Sequence, residues 1–142
     1  MTFPQKHDCT NELHDADLKV TPARIGILSA LETTKLPLDI SDLVRYLSDH
    51  KIQADRVTVF RSMNVLSEKG LVKQIQFNEG KLRYEYAAKP DHHHFVCEKC
   101  GMVEDISQCN VEKIEKDLQK TKGLLIRHHS LEFFGLCAKC QQ

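Results

Sequence analysis

The sequence predicts an α+β fold in two units, on the basis of three observations. Amphipathic helical patterns fill the first part of the 142-residue chain, and an alternating hairpin pattern follows them. After Tyr86 the chain changes to cysteines, histidines and alternating segments. Because Pro90 disfavours helix just before it, we place the joint around residues 83–91 and the domains at 1–84 and 85–142.

Helix-start signals occur at three places in the first domain. Thr21 is a favourable N-cap and is followed by Pro22, which suits a first helical position. Asp39 and Asp55 are further N-caps, and Gly70 ends the third pattern. Next, LVKQIQF and KLRYEYA alternate around NEG, which predicts a β-hairpin. Three helices followed by a two-stranded wing predict a winged helix-turn-helix.

The third helix has two different sides. Val59, Met63 and Leu66 share one side, whereas Val57, Arg61, Asn64 and Glu68 lie opposite. An arginine can grip guanine and an aliphatic group can contact a thymine methyl, so the outer side suits the major groove; an ordinary solvated face is the alternative. The candidate DNA-binding residues of this helix are Arg56, Val57, Thr58, Phe60 and Arg61.

Charge and hydropathy restrict the partners. The chain has 20 basic and 20 acidic residues, so its net charge does not by itself predict a nucleic-acid partner. Residues 51–83, however, carry seven basic and three acidic side chains. No apolar run approaches the roughly 20 residues of a membrane span, and the N-terminus lacks the order of a signal peptide. We expect a cytoplasmic protein with no membrane partner.

The second domain reads as strand, helix and strand. HHFVCEKCGMVEDI is interrupted by a Cys-x-x-Cys turn, NVEKIEKDLQKTKG is a helix that ends at Gly123, and LLIRHHSLEFFGLC alternates. A short sheet with one covering helix leaves strand edges unpaired, so we expect a homodimer.

Two Cys-x-x-Cys pairs predict a structural zinc site. Cys97 and Cys100 form one pair, and Cys137 and Cys140 form the other. Two such turns complete a tetrahedral zinc shell closed to water. Two disulfides or a redox pair are the alternatives, although a reducing cytosol favours metal.

The histidines exceed the needs of this zinc site. On a strand His92 and His94 project to one side and His93 to the other, so the triplet can supply two further sites or only a polar loop. Carboxylate and imidazole partners for intermediate divalent metals are available at Glu85, Asp105, Glu112 and His129.

Taken in order, LKVTPAR, VTVFRSMNVLSEKGLV, LRYEY, HHHFVCEKCG and HHSLEFFGLCAKC resemble the ferric uptake regulator (Fur) family from about Leu18 to Cys140. Members are metal-dependent repressors that sense iron, zinc, manganese or peroxide. The resemblance implies a homodimer with an N-terminal winged helix and a small α/β dimerisation domain. It further implies binding to a palindromic double-stranded DNA operator of metal homeostasis genes, activated by Fe²⁺, Zn²⁺ or Mn²⁺ at a hinge site.

The resemblance also assigns residues to sites. It implies structural Zn²⁺ on Cys97, Cys100, Cys137 and Cys140, a sensory metal on Glu85, His92, His94 and Asp105, and an additional metal on His93, Glu112 and His129. Lys19 matches a lysine that enters the minor groove, and Arg61 matches the arginine of the recognition helix.

Three positions depart from the family pattern. Pro37 stands where many relatives have a sensory histidine, which leaves Glu85 or another ligand, with His7, His14 and Cys9 as candidates, to join the DNA-binding domain to the metal. Phe60 replaces a usual tyrosine. Asp91 and His93 exchange the usual histidine and aspartate.

Other functions compete with metal-activated repression. Asp105 is typical of peroxide-sensing members, although Pro37 argues against a complete oxidation site. A zinc-dependent hydrolase would also use histidines and carboxylates around an open metal, but no catalytic motif accompanies them, so we do not expect an enzyme. A purely structural zinc dimer is the third alternative.

Overall fold

The computed structural model describes residues 9–89, 92–107 and 110–142. The chain divides into two compact units, Met1–Lys89 and Pro90–Gln142. The first contains α1 (Cys9–Asp15), α2 (Pro22–Thr33), α3 (Ile40–Asp49), α4 (Arg56–Glu68), β1 (Val72–Gln76) and β2 (Leu82–Tyr86). The second contains β3 (His93–Cys97), β4 (Val103–Ile106), α5 (Val111–Lys122) and β5 (Glu132–Gly135). None of the helices in these described ranges has the length and apolar character needed to span a membrane.

The predicted domain boundary at 84/85 lies within β2. The strand continues because Tyr86 still pairs with Val72, and the Ala87 N–H donates to the Leu71 carbonyl at 3.0 Å. The structure therefore divides the chain after Lys89. The predictions at His7, Pro90 and Asp91 lie outside the described residues.

The predicted N-caps of the first unit are all present. The Thr21 hydroxyl accepts a hydrogen bond from the Arg24 N–H at 3.2 Å, and Asp55 accepts one from the Thr58 N–H at 2.7 Å. Asp39 forms a full capping box with Asp42. These caps fix where α2, α3 and α4 begin.

Helix α1 was not predicted from the sequence. It has only seven residues, and its buried positions are Cys9 and Leu13, four residues apart. A single such pair carries no recognisable periodicity, so the packing of Leu13 against the other helices must stabilise the segment. One core, made from α1 to α4 and both strands of the hairpin, includes Leu28, Leu47, Met63 and Tyr84.

The hairpin is antiparallel, with Ile75 opposite Arg83. Asn78 and Gly80, both at positive φ, form the turn between the strands. An isolated bridge between Leu38 and Tyr84 adds a third short segment. Three helices and this hairpin form the predicted winged helix.

The second unit is a three-stranded sheet in the order β4-β3-β5. Strand β3 pairs antiparallel with β4 and parallel with β5. The predicted order of strand, helix and strand is present, with the Cys-x-x-Cys turn joining β3 to β4, but only Glu132–Gly135 of the alternating segment LLIRHHSLEFFGLC forms a strand. Helix α5 buries none of its residues within the single chain, and Ile114 on its apolar side is 58% exposed. The helix therefore does not cover the sheet in the manner expected from the sequence.

Candidate metal centres and nucleic-acid interface

The four paired cysteines converge at one end of the second unit. Cys97 is the last residue of β3, Cys100 lies in the following turn, and Cys137 and Cys140 follow β5. The β3–β5 pairing brings Cys97 opposite Gly135, which places the two turns side by side. The predicted set is thus assembled by the parallel pairing of two strands distant in sequence.

The geometry of this site fits a zinc ion. The four sulfur atoms lie within 4.8 Å of one another, and the Sγ atoms of Cys100 and Cys137 are 3.8 Å apart. In a tetrahedral shell with Zn–S bonds of about 2.3 Å, neighbouring sulfurs are about 3.8 Å apart. None of the cysteines in the described residues forms a disulfide. The residues present therefore suit zinc rather than the two disulfides that the sequence left open.

Local hydrogen bonds prepare the sulfurs for a cation. The backbone N–H groups of Cys100 and Cys137 donate to the Cys97 sulfur and lower the pKa of that thiol to about 6. The adjacent Cys137 thiol and burial raise the pKa of Cys140 to about 12. Four neighbouring thiolates repel one another, so a divalent cation is needed for all of them to be deprotonated.

A second group of ligand side chains lies on β3, on β4 and at His92, directly before β3. His94 is 1% exposed and directly opposite Asp105 in the strand pairing. Its Nε2 is 3.7 Å from the Asp105 Oδ1, and its ring centroid is 4.8 Å from that of His92. Two ligands each about 2.1 Å from one ion lie at most about 4.2 Å apart, so His94 and Asp105 can share an ion. The structure thus places three of the predicted sensory residues together.

The fourth predicted sensory residue, Glu85, lies on β2 of the first unit and is 5% exposed. Pro37 is buried just before α3, and its carbonyl accepts a hydrogen bond from Arg83 Nη1 at 3.2 Å. Of the other candidates, Cys9 is buried in the core with its sulfur 3.9 Å from the Glu32 carboxylate, and His14 is exposed. Glu85 is thus a buried carboxylate on β2 of the first unit.

The predicted additional site is partly assembled. The ring centroids of His93 and His129 are 5.2 Å apart. Glu112, however, is exposed and pairs with Lys116 at 2.9 Å. The carboxylate that contacts His129 Nδ1, at 2.6 Å, belongs to Glu115. Sequence reasoning missed Glu115, although its position one helical turn after Glu112 was a usable signal.

The exposed side of α4 agrees with the helical pattern. Val59, Met63 and Leu66 are fully buried, whereas Val57 and Phe60 are 55% and 51% exposed. Two large apolar side chains in water at a helix surface indicate a contact surface. Thr58 and Arg61 are exposed beside them.

Two further predicted DNA-binding residues have partners within the first unit. Arg56 Nη1 donates to the Ser41 hydroxyl of α3 at 2.9 Å, which joins the starts of the two helices. Lys19 has an exposed side chain in the segment before α2, and its carbonyl accepts from Arg24 Nη1 at 2.7 Å. The Lys19 backbone is therefore held while its side chain projects into solvent.

Comparison with known proteins identifies relatives over the whole chain. The family model described as "Ferric uptake regulator family" matches residues 15–134. The "Peroxide operon regulator" of Bacillus subtilis (strain 168) is 27% identical over 142 residues, covering 100% of this chain and 97% of that protein. The "Ferric uptake regulation protein" of Neisseria meningitidis serogroup B is 30% identical over 138 residues, covering 96% of each.

Solved structures are similar in fold as well. The Vibrio cholerae ferric uptake regulator has a TM-score of 0.76 at 30% identity, with 92% of this chain and 100% of that one covered. The Pseudomonas aeruginosa ferric uptake regulator with manganese has a TM-score of 0.78 at 26% identity, with 91% and 97% covered. A zinc uptake regulator complexed with zinc and DNA has a TM-score of 0.62 at 26% identity, with 94% and 90% covered.

Proposed function

The chain belongs to the ferric uptake regulator family, and from that membership we propose how a divalent metal controls its binding to DNA. It is a metal-responsive transcriptional repressor of metal homeostasis genes. The observation that carries the mechanism is that the second unit holds two chemically different ligand groups. One is made of sulfur alone and the other of imidazole and carboxylate.

The sulfur group is the structural site. Cys97, Cys100, Cys137 and Cys140 would hold one Zn²⁺ with no position left for water or substrate. Such an ion ties the segment after β5 to the end of β3 and stabilises the fold of the second unit.

The imidazole and carboxylate group is the regulatory site. His92, His94 and Asp105 of the second unit would hold a divalent ion together with Glu85 of the first. Bound there, Fe²⁺, Zn²⁺ or Mn²⁺ supplies positive charge and directional bonds to both imidazole and carboxylate. Because Glu85 belongs to the DNA-binding unit, it couples the position of that unit to the sensory ligands. The metal must favour the competent arrangement, since equal affinity for both arrangements shifts nothing.

The DNA partner of the first unit is a palindromic operator. We assign major-groove contacts to Arg56, Val57, Thr58, Phe60 and Arg61, and a minor-groove contact to Lys19. The exposure of Val57 and Phe60 supports this assignment, because two neighbouring apolar side chains left in water on a helix indicate a contact surface. The zinc uptake regulator solved with DNA supports it by likeness of fold. As a DNA-binding regulator the protein would act in the cytoplasm.

The protein partner of the second unit is a second copy of the chain. The second unit exposes large apolar side chains that a monomer would leave in water, namely Ile114, Leu124, Leu125, Phe133, Phe134 and Leu136. Strand β5 is also an edge of its sheet. Pairing two copies would cover both features and present two recognition helices to a two-fold operator.

The direct test is operator affinity with and without metal. The full chain is prepared with its structural zinc verified, and operator binding is titrated in chelator and in excess Fe²⁺ (anaerobically), Mn²⁺ or Zn²⁺. We expect at least one ion to raise affinity tenfold or more, which requires only about 1.4 kcal/mol of preference for the competent state.

The His92→Ala variant separates the two sites in this test. It should retain one zinc per chain on the cysteines while losing the response to added metal. Equal operator affinities of the wild-type protein in chelator and in every ion would refute metal control and leave a constitutive DNA-binding zinc protein.

A further inference from the structure

His129 is held by a carboxylate on α5. Its Nδ1 lies 2.6 Å from the Glu115 Oε1, and both side chains are largely shielded, at 23% and 28% exposure. An ionised carboxylate only accepts hydrogen bonds, so His129 must be the donor. The neutral imidazole of His129 therefore carries its proton on Nδ1 and presents Nε2 as the nitrogen with the lone pair.

His93 is held in the same way by a backbone carbonyl. Its Nδ1 is 3.0 Å from the Leu131 carbonyl oxygen, which is also only an acceptor. This hydrogen bond joins β3 to the segment before β5, in which His129 lies two residues before Leu131. The two rings lie 5.2 Å apart, so both histidines offer the same ring nitrogen within one small region.

This arrangement is characteristic of metal-ligating histidines. Such residues almost always donate the other ring N–H to a carboxylate or a backbone carbonyl, which fixes the tautomer and strengthens the ligand nitrogen. Here His129 has a carboxylate as its partner, and His93 has a backbone carbonyl. Glu112 does not take this role, because its carboxylate is exposed and pairs with Lys116 at 2.9 Å.

We propose that Glu115 is the positioning residue of a divalent metal site built on His93 and His129, fixing His129 for ligation through Nε2. The proposal rests on the additional metal site that the family resemblance implies, and it adds the residue on which the metal affinity of that site depends. Glu115 would act through His129 rather than on the ion, because its oxygen accepts from Nδ1 and Nε2 is the nitrogen that would bind the ion. Glu112 keeps the role of direct ligand that the resemblance implies.

The test measures the ring state of His129 and the binding of Zn²⁺ separately. The full chain carries His92→Ala and His94→Ala so that the sensory ligands do not compete, and keeps its cysteine zinc. Nitrogen NMR of the metal-free protein should show His129 with its proton on Nδ1. Glu115→Ala should redistribute that proton toward Nε2, whereas Glu112→Ala should not.

Zn²⁺ affinity, measured against a chromogenic chelator, should fall about 10- to 100-fold in Glu115→Ala. Glu115→Gln keeps an acceptor oxygen, so its Zn²⁺ affinity should fall less than that of Glu115→Ala. This variant also serves as a control in case the alanine variant misfolds. Asp117→Asn removes a charge from another side of α5 and should change neither measurement.

Three results would overturn the proposal. The His129 proton could stay in the same position in Glu115→Ala, the Zn²⁺ affinity of that variant could be unchanged, or Zn²⁺ binding could prove independent of His129. None of them decides whether the protein is a repressor, because operator affinity is a separate measurement that tests the sensory ligands.

Discussion

The main chains of Leu38 and Tyr84 exchange two hydrogen bonds, at 3.0 Å and 2.8 Å. This bridge attaches the segment before α3 to the hairpin. An ion pair reinforces it, because the Lys81 Nζ lies 2.6 Å from Oδ2 of Asp39, the N-cap of α3. Glu85 follows Tyr84 directly, so the proposed metal ligand belongs to the strand that holds the start of α3. At Pro37, whose side chain cannot ligate a metal, the segment before α3 is thus held to the hairpin by main-chain hydrogen bonds and an ion pair.

Replacement of Lys81 by methionine should lower the free energy of unfolding only slightly. The gain from an ion pair of this kind is small because the Lys81 side chain is 48% exposed and screened by solvent. Urea denaturation of the full chain measures it. Lys69→Met, which removes an exposed lysine at the end of α4, is the matched control and should leave the midpoint unchanged.

The same pair should give a defined pH dependence. Burial tends to raise the pKa of Asp39, but hydrogen bonds from Lys81 and from the Asp42 N–H outweigh it, so the pKa lies below its ordinary value. A carboxyl with a lowered folded pKa stabilises the fold above its unfolded pKa of about 4, and this contribution disappears as the pH falls through the folded value. The stability difference between wild type and Lys81→Met should therefore be constant above about pH 5 and shrink below about pH 4. A difference that grows on acidification would contradict the ion-pair explanation.

Loss of one structural ligand should unfold the second unit. Cys137→Ser removes a thiolate from a site whose zinc contributes on the order of 10 kcal/mol to folding, more than a small domain retains as net stability. Zinc content should fall from one ion per chain to none, with loss of dimerisation in analytical ultracentrifugation. The control is Cys9→Ser, which lies in the core of the first unit; this variant should keep the zinc of the second unit. A Cys137→Ser protein that still dimerises would show that zinc is dispensable for this unit.

Neutralising Glu85 should uncouple metal from DNA binding. Glu85→Gln keeps the size of a buried side chain but removes the negative charge that we propose for metal binding. We expect regulatory metal affinity to drop at least about tenfold, equivalent to about 1.4 kcal/mol, and metal to raise operator affinity much less than in wild type. Isothermal titration and fluorescence anisotropy measure the two effects. Glu104→Gln, an exposed carboxylate on β4, is the control; an equal loss in both variants would point to general electrostatics.

Replacing Arg61 should relax the sequence preference of operator binding. A forked contact to guanine contributes about 1–3 kcal/mol of discrimination, so Arg61→Ala should reduce the preference for operator over random DNA by that amount. Phe60→Ala should weaken the preference at a thymine position, because Phe60 offers an exposed apolar ring and no hydroxyl. Competition binding with single-base operator variants measures both. Lys69→Ala should change neither, and an unchanged preference in Arg61→Ala would exclude this residue from base reading.

The sequence by itself determined the features whose physics is local. Thr21, Asp39 and Asp55 cap helices because a side chain needs to reach only three residues along the chain. The Cys-x-x-Cys pairs are equally local, since one tight turn brings both sulfurs to one ion. The alternation in the hairpin and the buried side of α4 likewise follow from the periods of strand and helix, and the structure agrees with them.

Only the tertiary structure decided which distant groups meet. Helix α1 forms because the core accepts Leu13, a contact that no pattern within seven residues announces. Glu112 and Glu115 lie on the same side of α5 by helical geometry, so the sequence does not tell which of them reaches His129. The path of the chain between α5 and β5 selects Glu115. The bridge between Leu38 and Tyr84 also joins residues 46 positions apart. Such contacts depend on the packing of whole elements, because the free energy that fixes them comes from burial shared across the core rather than from neighbours in sequence.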